Sequence, residues 1–275
     1  MMPLVRRLGL FALTAAVVAS ALMPFGWAVV TSLRPPTEIF EASWIVTNPT
    51  LGNYRNVLGE AGFLTSVLNS LIVAGLTTVL ALAIALLSGF SLSRIPFRGR
   101  TTLLLGILSV SMFPQVAILS GLFELVRRLG LYNDLRGLTL CYLALVLPFT
   151  VWVLRGFLKG VPREIEEAAI LDGCSPLKIL FRVFLPLLRP AIATTGILSF
   201  IAAWNEFLFA LTLTISPDQR TVPVTISMLS GASQYDLPWG NVMAASVVVT
   251  LPLVVLVLIF QKHIVAGLTS GAVKG

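Results

Sequence analysis

Long apolar runs separated by short polar segments make up most of this chain of 275 residues. An α-helix needs about 20 apolar residues to cross about 30 Å of hydrocarbon. Five charge-free runs reach or approach that length: Leu8–Leu33, Ala61–Ser93, Thr101–Phe123, Gly137–Leu154 and Trp239–Gln261. A sixth run, from Pro190 to about Pro217, is interrupted only by Glu206. The pattern predicts an all-α membrane protein with six transmembrane helices.

The predicted helices form a single transmembrane domain that covers residues 1–275. Its N-terminal helix is residues 8–33, and its core bundle extends over about residues 61–261. A polar segment, residues 155–189, separates the fourth helix from the fifth, and residues 262–275 form a tail. The first apolar run is longer than the apolar part of a secretory signal, so we expect it to be retained as a helix.

Composition and charge placement agree with a location in the lipid bilayer. Apolar residues make up 57% of the chain and charged residues only 11%. If the N-terminus is cytoplasmic, 13 of the 19 Lys and Arg residues fall in cytoplasmic segments, where positive residues are usually retained. We therefore expect both termini in the cytoplasm. The net charge of +7 follows from this topology, so it gives no reason to expect nucleic-acid binding.

Two segments on the outer side of this topology contain turn signals. Arg34–Glu60 carries Pro35-Pro36, Asn48-Pro49 and Gly52-Asn53, and Thr212–Pro238 carries Pro217-Asp218, Pro223 and Gly231. We expect both segments to be folded loops.

The polar segment 155–189 has the pattern of two short helices. Pro162 suits the first turn of a helix that ends near Leu171, because that turn does not need the missing N–H. Three acids complement the positive end of this helix: Glu164, Glu166 and Glu167. Gly173 can adopt the left-handed conformation that often ends a helix, and Ser175-Pro176 is typical of the start of another.

A longer motif occupies the same segment. Glu167-Ala168-Ala169 is followed by Gly173 and, after nine further residues, by Val183-Phe184-Leu185-Pro186. This spacing resembles the Glu-Ala-Ala loop of binding-protein-dependent ABC importer permeases, in which Ile stands where this chain has Val183. Further parts of the resemblance are Met112-Phe113-Pro114, Leu129-Gly130-Leu131, Asn133, Trp204-Asn205-Glu206-Phe207 and the ending Gly267–Gly275. The ending is similar to that of carbohydrate importers, specifically the permeases related to the smaller permease of the maltose transporter.

The resemblance implies a MetI-like permease in the cytoplasmic membrane, working in an ATP-driven importer. Its expected partners are a sister permease in a heterodimer, two ABC ATPase subunits and an extracytoplasmic solute-binding protein, and its expected substrate is a sugar or sugar derivative. The loop would be the coupling helix, between helices 4 and 5, that docks on an ATPase. The implied coupling residues are Glu166, Glu167, Ala168, Ala169, Asp172, Gly173, Leu185 and Pro186. The implied ATPase-contacting tail consists of Ser270, Gly271, Ala272, Val273, Lys274 and Gly275.

Catalytic chemistry is not expected in this chain. It contains no G-x-x-x-x-G-K-[ST] phosphate loop, so ATP and Mg²⁺ would be bound by the partner ATPase subunits. His263 is the only histidine, and Glu206 is the only acid within a predicted span, so no catalytic triad or metal-ligand cluster is available in the membrane. The alternative function is an ion-coupled secondary carrier or a channel that uses Glu206.

Glu206 has two interpretations. With Trp204 and Asn205 it would line the substrate path and offer hydrogen bonds to sugar hydroxyls, or it would pair with a loop or a neighbouring subunit. Asn69 and Ser70 in the second span have the same two interpretations, and for them interhelical hydrogen bonding is favoured. Kinks are expected at Pro114, Pro148 and Pro252.

Overall fold

The computed structural model describes residues 4–41, 43–229 and 238–272, and the side chains of residues 7–262 within those ranges. All regular structure in these ranges is helical, which confirms the all-α prediction for the described chain. In chain order the α-helices are α1 (Leu4–Ser32), α2 (Gly52–Gly59), α3 (Phe63–Arg94), α4 (Arg100–Ser111), α5 (Gln115–Arg128), α6 (Leu135–Gly160), α7 (Arg163–Leu171), α8 (Pro176–Ile179), α9 (Leu185–Leu187), α10 (Arg189–Trp204), α11 (Leu208–Leu213), α12 (Val222–Leu229) and α13 (Trp239–Ala272).

Four of the described helices, α1, α3, α6 and α13, are long and apolar enough to cross a membrane alone. The other two predicted spans correspond to helix pairs with sharp bends. Helices α4 and α5 meet at 99°, and the stretch Pro176–Leu187 meets α10 at 81°. Pro114 lies at the first bend, as predicted, because it cannot donate the hydrogen bond of a continuous helix. The described chain therefore has between four and six spans, depending on how each bent pair is counted.

One predicted span differs in the structure, whereas the kinks at Pro148 and Pro252 stay predictions. The fifth predicted span ran to about Pro217, whereas α10 ends at Trp204 and the short α11 begins only at Leu208. Pro148 and Pro252 lie within the continuous helices α6 and α13, so neither proline ends its helix as Pro114 does. Adjacent helices can satisfy the backbone groups that a membrane proline leaves unpaired.

The chain divides into two compact units. The first contains the described parts of Met1–Leu64 and Thr225–Pro252, and the second those of Thr65–Val224 and Leu253–Gly275. The single domain expected from the sequence remains a prediction.

In the first unit, the segment after α1 is folded, as its turn signals predicted. The Arg34 side chain is buried, donates hydrogen bonds to the carbonyl oxygens of Glu41 and Ser43, and lies 5.4 Å from the centre of the Trp27 ring. Asn53 in α2 donates to the carbonyl oxygen of Arg34 at 2.8 Å. These contacts satisfy the cation and hold the segment as a defined loop.

In the second unit, α6 is the most buried of the four long helices, because 56% of its most apolar stretch of 18 residues is buried. Leu154 and Leu158 of α6 share an apolar core with Phe184. Gly89 of α3 allows the two long helices to pack closely, since a Cβ atom at this position would lie 3.3 Å from the backbone nitrogen of Arg155. The C-terminal parts of α3 and α6 are therefore in close contact.

Candidate functional site

Helix α7 begins and ends within one residue of the bounds that the sequence predicts. Pro162 precedes its first turn, which contains Glu164 and Glu166. At its other end the N–H of Gly173 donates to the Ile170 carbonyl at 2.9 Å, and the N–H of Cys174 donates to the Ala169 carbonyl at 3.0 Å. Gly173 has φ +74°, the left-handed conformation predicted for it. The paired bonds and the glycine form a Schellman motif, which fixes the end of the helix.

The exposed surface of this region combines acidic and apolar groups. Glu167, Ala168 and Asp172 are exposed, whereas Ala169 is buried against the core. Four large apolar side chains are also exposed: Ile170 (56%), Leu171 (89%), Leu177 (60%) and Phe181 (52%). We call α7, Asp172, Gly173 and these four side chains the α7 surface. Exposed apolar groups within a polar segment are typical of a docking surface.

The second predicted short helix is present, but it changes character along its length. Pro176 is the first residue of α8, and a π-helical turn over Leu180–Phe184 leads into α9. The Ser175 side chain makes no capping hydrogen bond, so the position of the helix start is confirmed but not the predicted cap. Leu185 is half-buried and Pro186 is exposed.

Arg94, the last residue of α3, lies at the centre of a polar cluster that the sequence did not indicate. Its Nη2 donates to the carbonyl oxygens of Leu158 at 2.5 Å and Val161 at 2.6 Å, while its Nη1 lies 3.1 Å from Glu166 Oε2. Its guanidinium carbon lies 5.0 Å from the centre of the Phe184 ring. These five residues are the Arg94 cluster. Arg94 thereby binds two carbonyl oxygens at the end of α6, where the last carbonyls of a helix lack the usual partners four residues further along the chain.

A second polar cluster holds the segment that follows α11 against the other end of α3. Asn69 Nδ2 donates to the carbonyl oxygens of Asp218 at 2.8 Å and Arg220 at 2.9 Å. The hydroxyl of Ser70 accepts a hydrogen bond from the N–H of Val222 at 2.8 Å. The sequence favours interhelical hydrogen bonding for both side chains. Ser70 binds the first residue of α12, whereas the partners of Asn69 are backbone carbonyls of the segment before that helix.

Asn133, between α5 and α6, binds the same segment from another side. Its Oδ1 accepts from the N–H groups of Ile215 at 2.8 Å and Ser216 at 3.0 Å, and its Nδ2 donates to the Ser216 hydroxyl. Asn133 has φ +58°, a left-handed conformation that asparagine tolerates better than most residues. We call Asn69, Ser70 and Asn133 with residues 214–222 the loop clasp. In the sequence, only the motif that includes Asn133 pointed to this position.

The polar residues between α10 and α11 form a break in the helix. The Glu206 carboxylate accepts from the N–H groups of Phe209 at 2.8 Å and Ala210 at 3.2 Å, so both of its oxygens bind the first turn of α11. Glu206 and Trp204 are buried, whereas Asn205 is exposed and donates to the Ile201 carbonyl. A buried carboxylate needs such partners. The break therefore explains how Glu206 is tolerated in this segment.

The tail expected to contact an ATPase is only partly described. Ser270, Gly271 and Ala272 belong to the last turn of α13, and nothing is described of their side chains. Val273, Lys274 and Gly275 lie outside the described residues.

Comparison with known proteins places these features in a family. Residues 81–270 match the model of the family described as "Binding-protein-dependent transport system inner membrane component". The chain is 41% identical over 256 residues to the trehalose/maltose transport system permease protein MalG of Thermococcus litoralis, covering 92% of each chain. It is 38% identical over 259 residues to the trehalose transport system permease protein SugB of Mycobacterium tuberculosis, covering 94% of each chain.

The fold also matches a solved structure. A chain in the crystal structure of a bacterial ABC transporter involved in the import of the acidic polysaccharide alginate superposes with a TM-score of 0.79. The match covers 94% of this chain and 96% of the other, at 23% sequence identity. This likeness shows a shared permease fold.

Proposed function

We propose that this chain, which belongs to the family of binding-protein-dependent transport system inner membrane components, translocates a sugar or sugar derivative in an ATP-driven importer. The observation that carries the proposal is the α7 surface, on which the family motif presents Glu167, Ala168 and Leu171 to solvent. A helix that is exposed and partly apolar, and whose C-terminal end is fixed by a Schellman motif, is suited to dock into a cleft of another protein. One relative is named as a trehalose/maltose permease and the other as a trehalose permease, which supports a sugar as the substrate.

In this proposal each bent helix pair counts as one span, so the chain crosses the membrane six times. Both termini and the segment 155–189 are then cytoplasmic, and the loop clasp lies on the outer side. The placement of Lys and Arg residues supports this orientation. The described chain buries none of the most apolar stretch of 18 residues in α1. In the membrane, this stretch must therefore be covered by lipid or by another subunit.

The proposed partners are a sister permease, two ABC ATPase subunits and an extracytoplasmic solute-binding protein. Helix α7, between the fourth and fifth spans, is the proposed coupling helix and docks on one ATPase subunit. The tail 270–275 is proposed to contact the ATPase interface as well. ATP and Mg²⁺ are bound by the ATPase subunits, because this chain has no phosphate loop.

The mechanism is alternating access. A loaded binding protein docks on the outer loops, including the segment Thr212–Pro238, and ATP closes the ATPase subunits. The α7 surface transmits that closure to the membrane helices, and the substrate passes between this chain and its sister permease. Residues 230–237 of the proposed docking segment lie outside the described residues.

The proposed substrate path lies at the break between α10 and α11. Discontinuous helices in membrane transporters often form substrate sites, because backbone and side-chain polar groups are available there. Asn205 is the exposed side chain of the break, while Trp204, Glu206 and Asn69 would shape the path from buried positions. The alternative is an ion-coupled secondary carrier or channel that uses Glu206. The coupling-loop motif favours the importer, and both oxygens of the Glu206 carboxylate accept hydrogen bonds from backbone N–H groups.

Purification from the native membrane in mild detergent, followed by mass spectrometry, tests the proposal. We expect the chain to bring with it an ATPase, a second permease and a solute-binding protein. Leu171→Asp should abolish recovery of the ATPase, because it places a charge at the most exposed apolar position of α7. Phe40→Asp is the matched control, since Phe40 is 86% exposed and belongs to the segment between α1 and α2. A wild-type chain recovered alone would refute the proposal.

A further inference from the structure

Two adjacent acids of α7 have different surroundings. Glu167 is exposed on the α7 surface, whereas the Glu166 side chain is only 20% exposed and pairs with Arg94. The two carboxylates therefore face different neighbours, although the sequence offers both as coupling residues. Glu167 is available to an outside partner, and Glu166 is engaged within the chain.

Arg94 connects four parts of the chain at one point. It is the last residue of α3, it pairs with Glu166 of α7, and it lies over Phe184. It also binds the carbonyl oxygens of Leu158, in the last turn of α6, and of Val161, which follows that helix. Its side chain is only 5% exposed. A planar guanidinium can make these directed contacts simultaneously, because its donors lie in a fixed geometry.

The residues packed around Arg94 oppose independent movement of α7 and of the ends of α3 and α6. Phe90 of α3 packs edge-on against Phe184, with ring centres 5.8 Å apart. Gly89 brings the backbone of α3 against α6 one turn earlier. Displacement of α7 is thus coupled to both helices through a packed and hydrogen-bonded contact, rather than absorbed by a flexible loop.

We infer that Arg94 and Glu166 are the positioning pair that transmits displacement of α7 to the ends of α3 and α6. This inference rests on the proposed docking function of the α7 surface. It assigns the outward-facing Glu167 to recognition of the ATPase and the inward-facing Glu166 to transmission. Arg94 contacts neither substrate nor ATP in this assignment.

The test uses the complete complex in proteoliposomes and measures substrate uptake per ATP hydrolysed. Glu166→Gln keeps the size of the side chain but removes its charge, and we expect uptake per ATP to fall roughly tenfold, a usual size for coupling between sites. Arg94→Met should cause a similar loss. Arg94→Lys should retain part of the coupling, because one ammonium group cannot reproduce both the ion pair and the two carbonyl contacts. ATPase recovery during purification should equal that of the wild type in all three variants.

Glu124→Gln is the control, because Glu124 pairs with Arg128 on an exposed surface of α5. It should leave uptake per ATP unchanged. The inference is overturned if Glu166→Gln couples normally, or if it loses the ATPase, which would make Glu166 a docking residue. If the Arg94→Met variant does not accumulate in the membrane, the result for Glu166→Gln alone tests the inference. Failure of the wild-type chain to recover any ATPase would instead refute the proposed function beneath the inference.

Discussion

The Arg94 cluster and the loop clasp hold opposite ends of the same helix by different chemistry. At the C-terminal end of α3, a buried cation binds two carbonyls, a carboxylate and an aromatic face. Near its N-terminal end, Asn69 and Ser70 bind backbone groups without any charged side chain. One end therefore depends on a single ionic centre, and the other on several neutral hydrogen bonds.

This difference agrees with the different roles proposed for the two ends of α3. Removing one member of a buried ion pair leaves the other uncompensated, so loss of Arg94 or of Glu166 should be costly. A neutral hydrogen bond contributes less to stability, and a substitution can remove one such bond while the others remain. We expect a single substitution in the Arg94 cluster to reduce the coupling of uptake to ATP hydrolysis. Each substitution in the loop clasp should instead lower the stability of the protein by a small amount.

The largest effect is expected at Gly173. Gly173→Pro would force a negative φ where the structure has +74° and would remove the N–H that donates to the Ile170 carbonyl. We expect loss of uptake, with unchanged affinity of the binding protein for its substrate. Gly173→Asn is the matched control, because asparagine tolerates the left-handed conformation, and it should retain most uptake. Normal uptake by the proline variant would show that the end of α7 is not needed for coupling.

Glu206 is a buried acidic residue whose carboxylate binds backbone N–H groups of α11, whereas the Glu166 carboxylate of the Arg94 cluster pairs with a guanidinium. Glu206→Ala removes the acceptor for two N–H groups of α11, and leaving buried donors unsatisfied costs about 1–3 kcal/mol each. We expect a lower unfolding temperature and altered transport, while the ATPase still copurifies. Glu206→Gln keeps one amide oxygen as an acceptor and should restore part of the stability. Full uptake by Glu206→Gln would show that the negative charge has no role in translocation.

A smaller effect is expected in the loop clasp. Asn133→Ala removes three hydrogen bonds to Ile215 and Ser216 and should destabilise the protein by about 1–3 kcal/mol, measured by thermal unfolding in detergent. Asn133→Asp retains the acceptor and tolerates the same backbone conformation, so it should lose less. Uptake per ATP should be unchanged in both. If Asn133→Ala uncouples ATP hydrolysis as strongly as Glu166→Gln, the two ends of α3 do not differ in function.

Sequence reasoning located the helices and the turn at Gly173, because these depend on apolar runs and on local backbone preferences. It did not find the partner of Arg94, which lies 72 residues away in the chain, or that of Asn69, 149 residues away. Such contacts arise from the packing of distant helices, for which neither residue carries a local signal. Glu206 was placed within a continuous span for a related reason. Its capping of α11 becomes visible only when the helix is seen to break before it.

The smallest effect is expected at Glu38, an exposed carboxylate, in comparison with Glu166, whose side chain is 20% exposed and pairs with the buried Arg94. Hydrogen bonds from Asn48 and Thr47 lower the pKa of Glu38 below its usual value. A lowered pKa in the folded state contributes stability above the unfolded value of about 4.3, and this is lost as the pH falls through the folded value. Glu38→Gln should therefore lower the unfolding temperature slightly at pH 7, and this effect should shrink as the pH falls below the unfolded value. Because water screens an exposed group, the change at pH 7 should be smaller than that of Glu166→Gln. An equal or larger change would show that burial is not what gives the Arg94 cluster its strength.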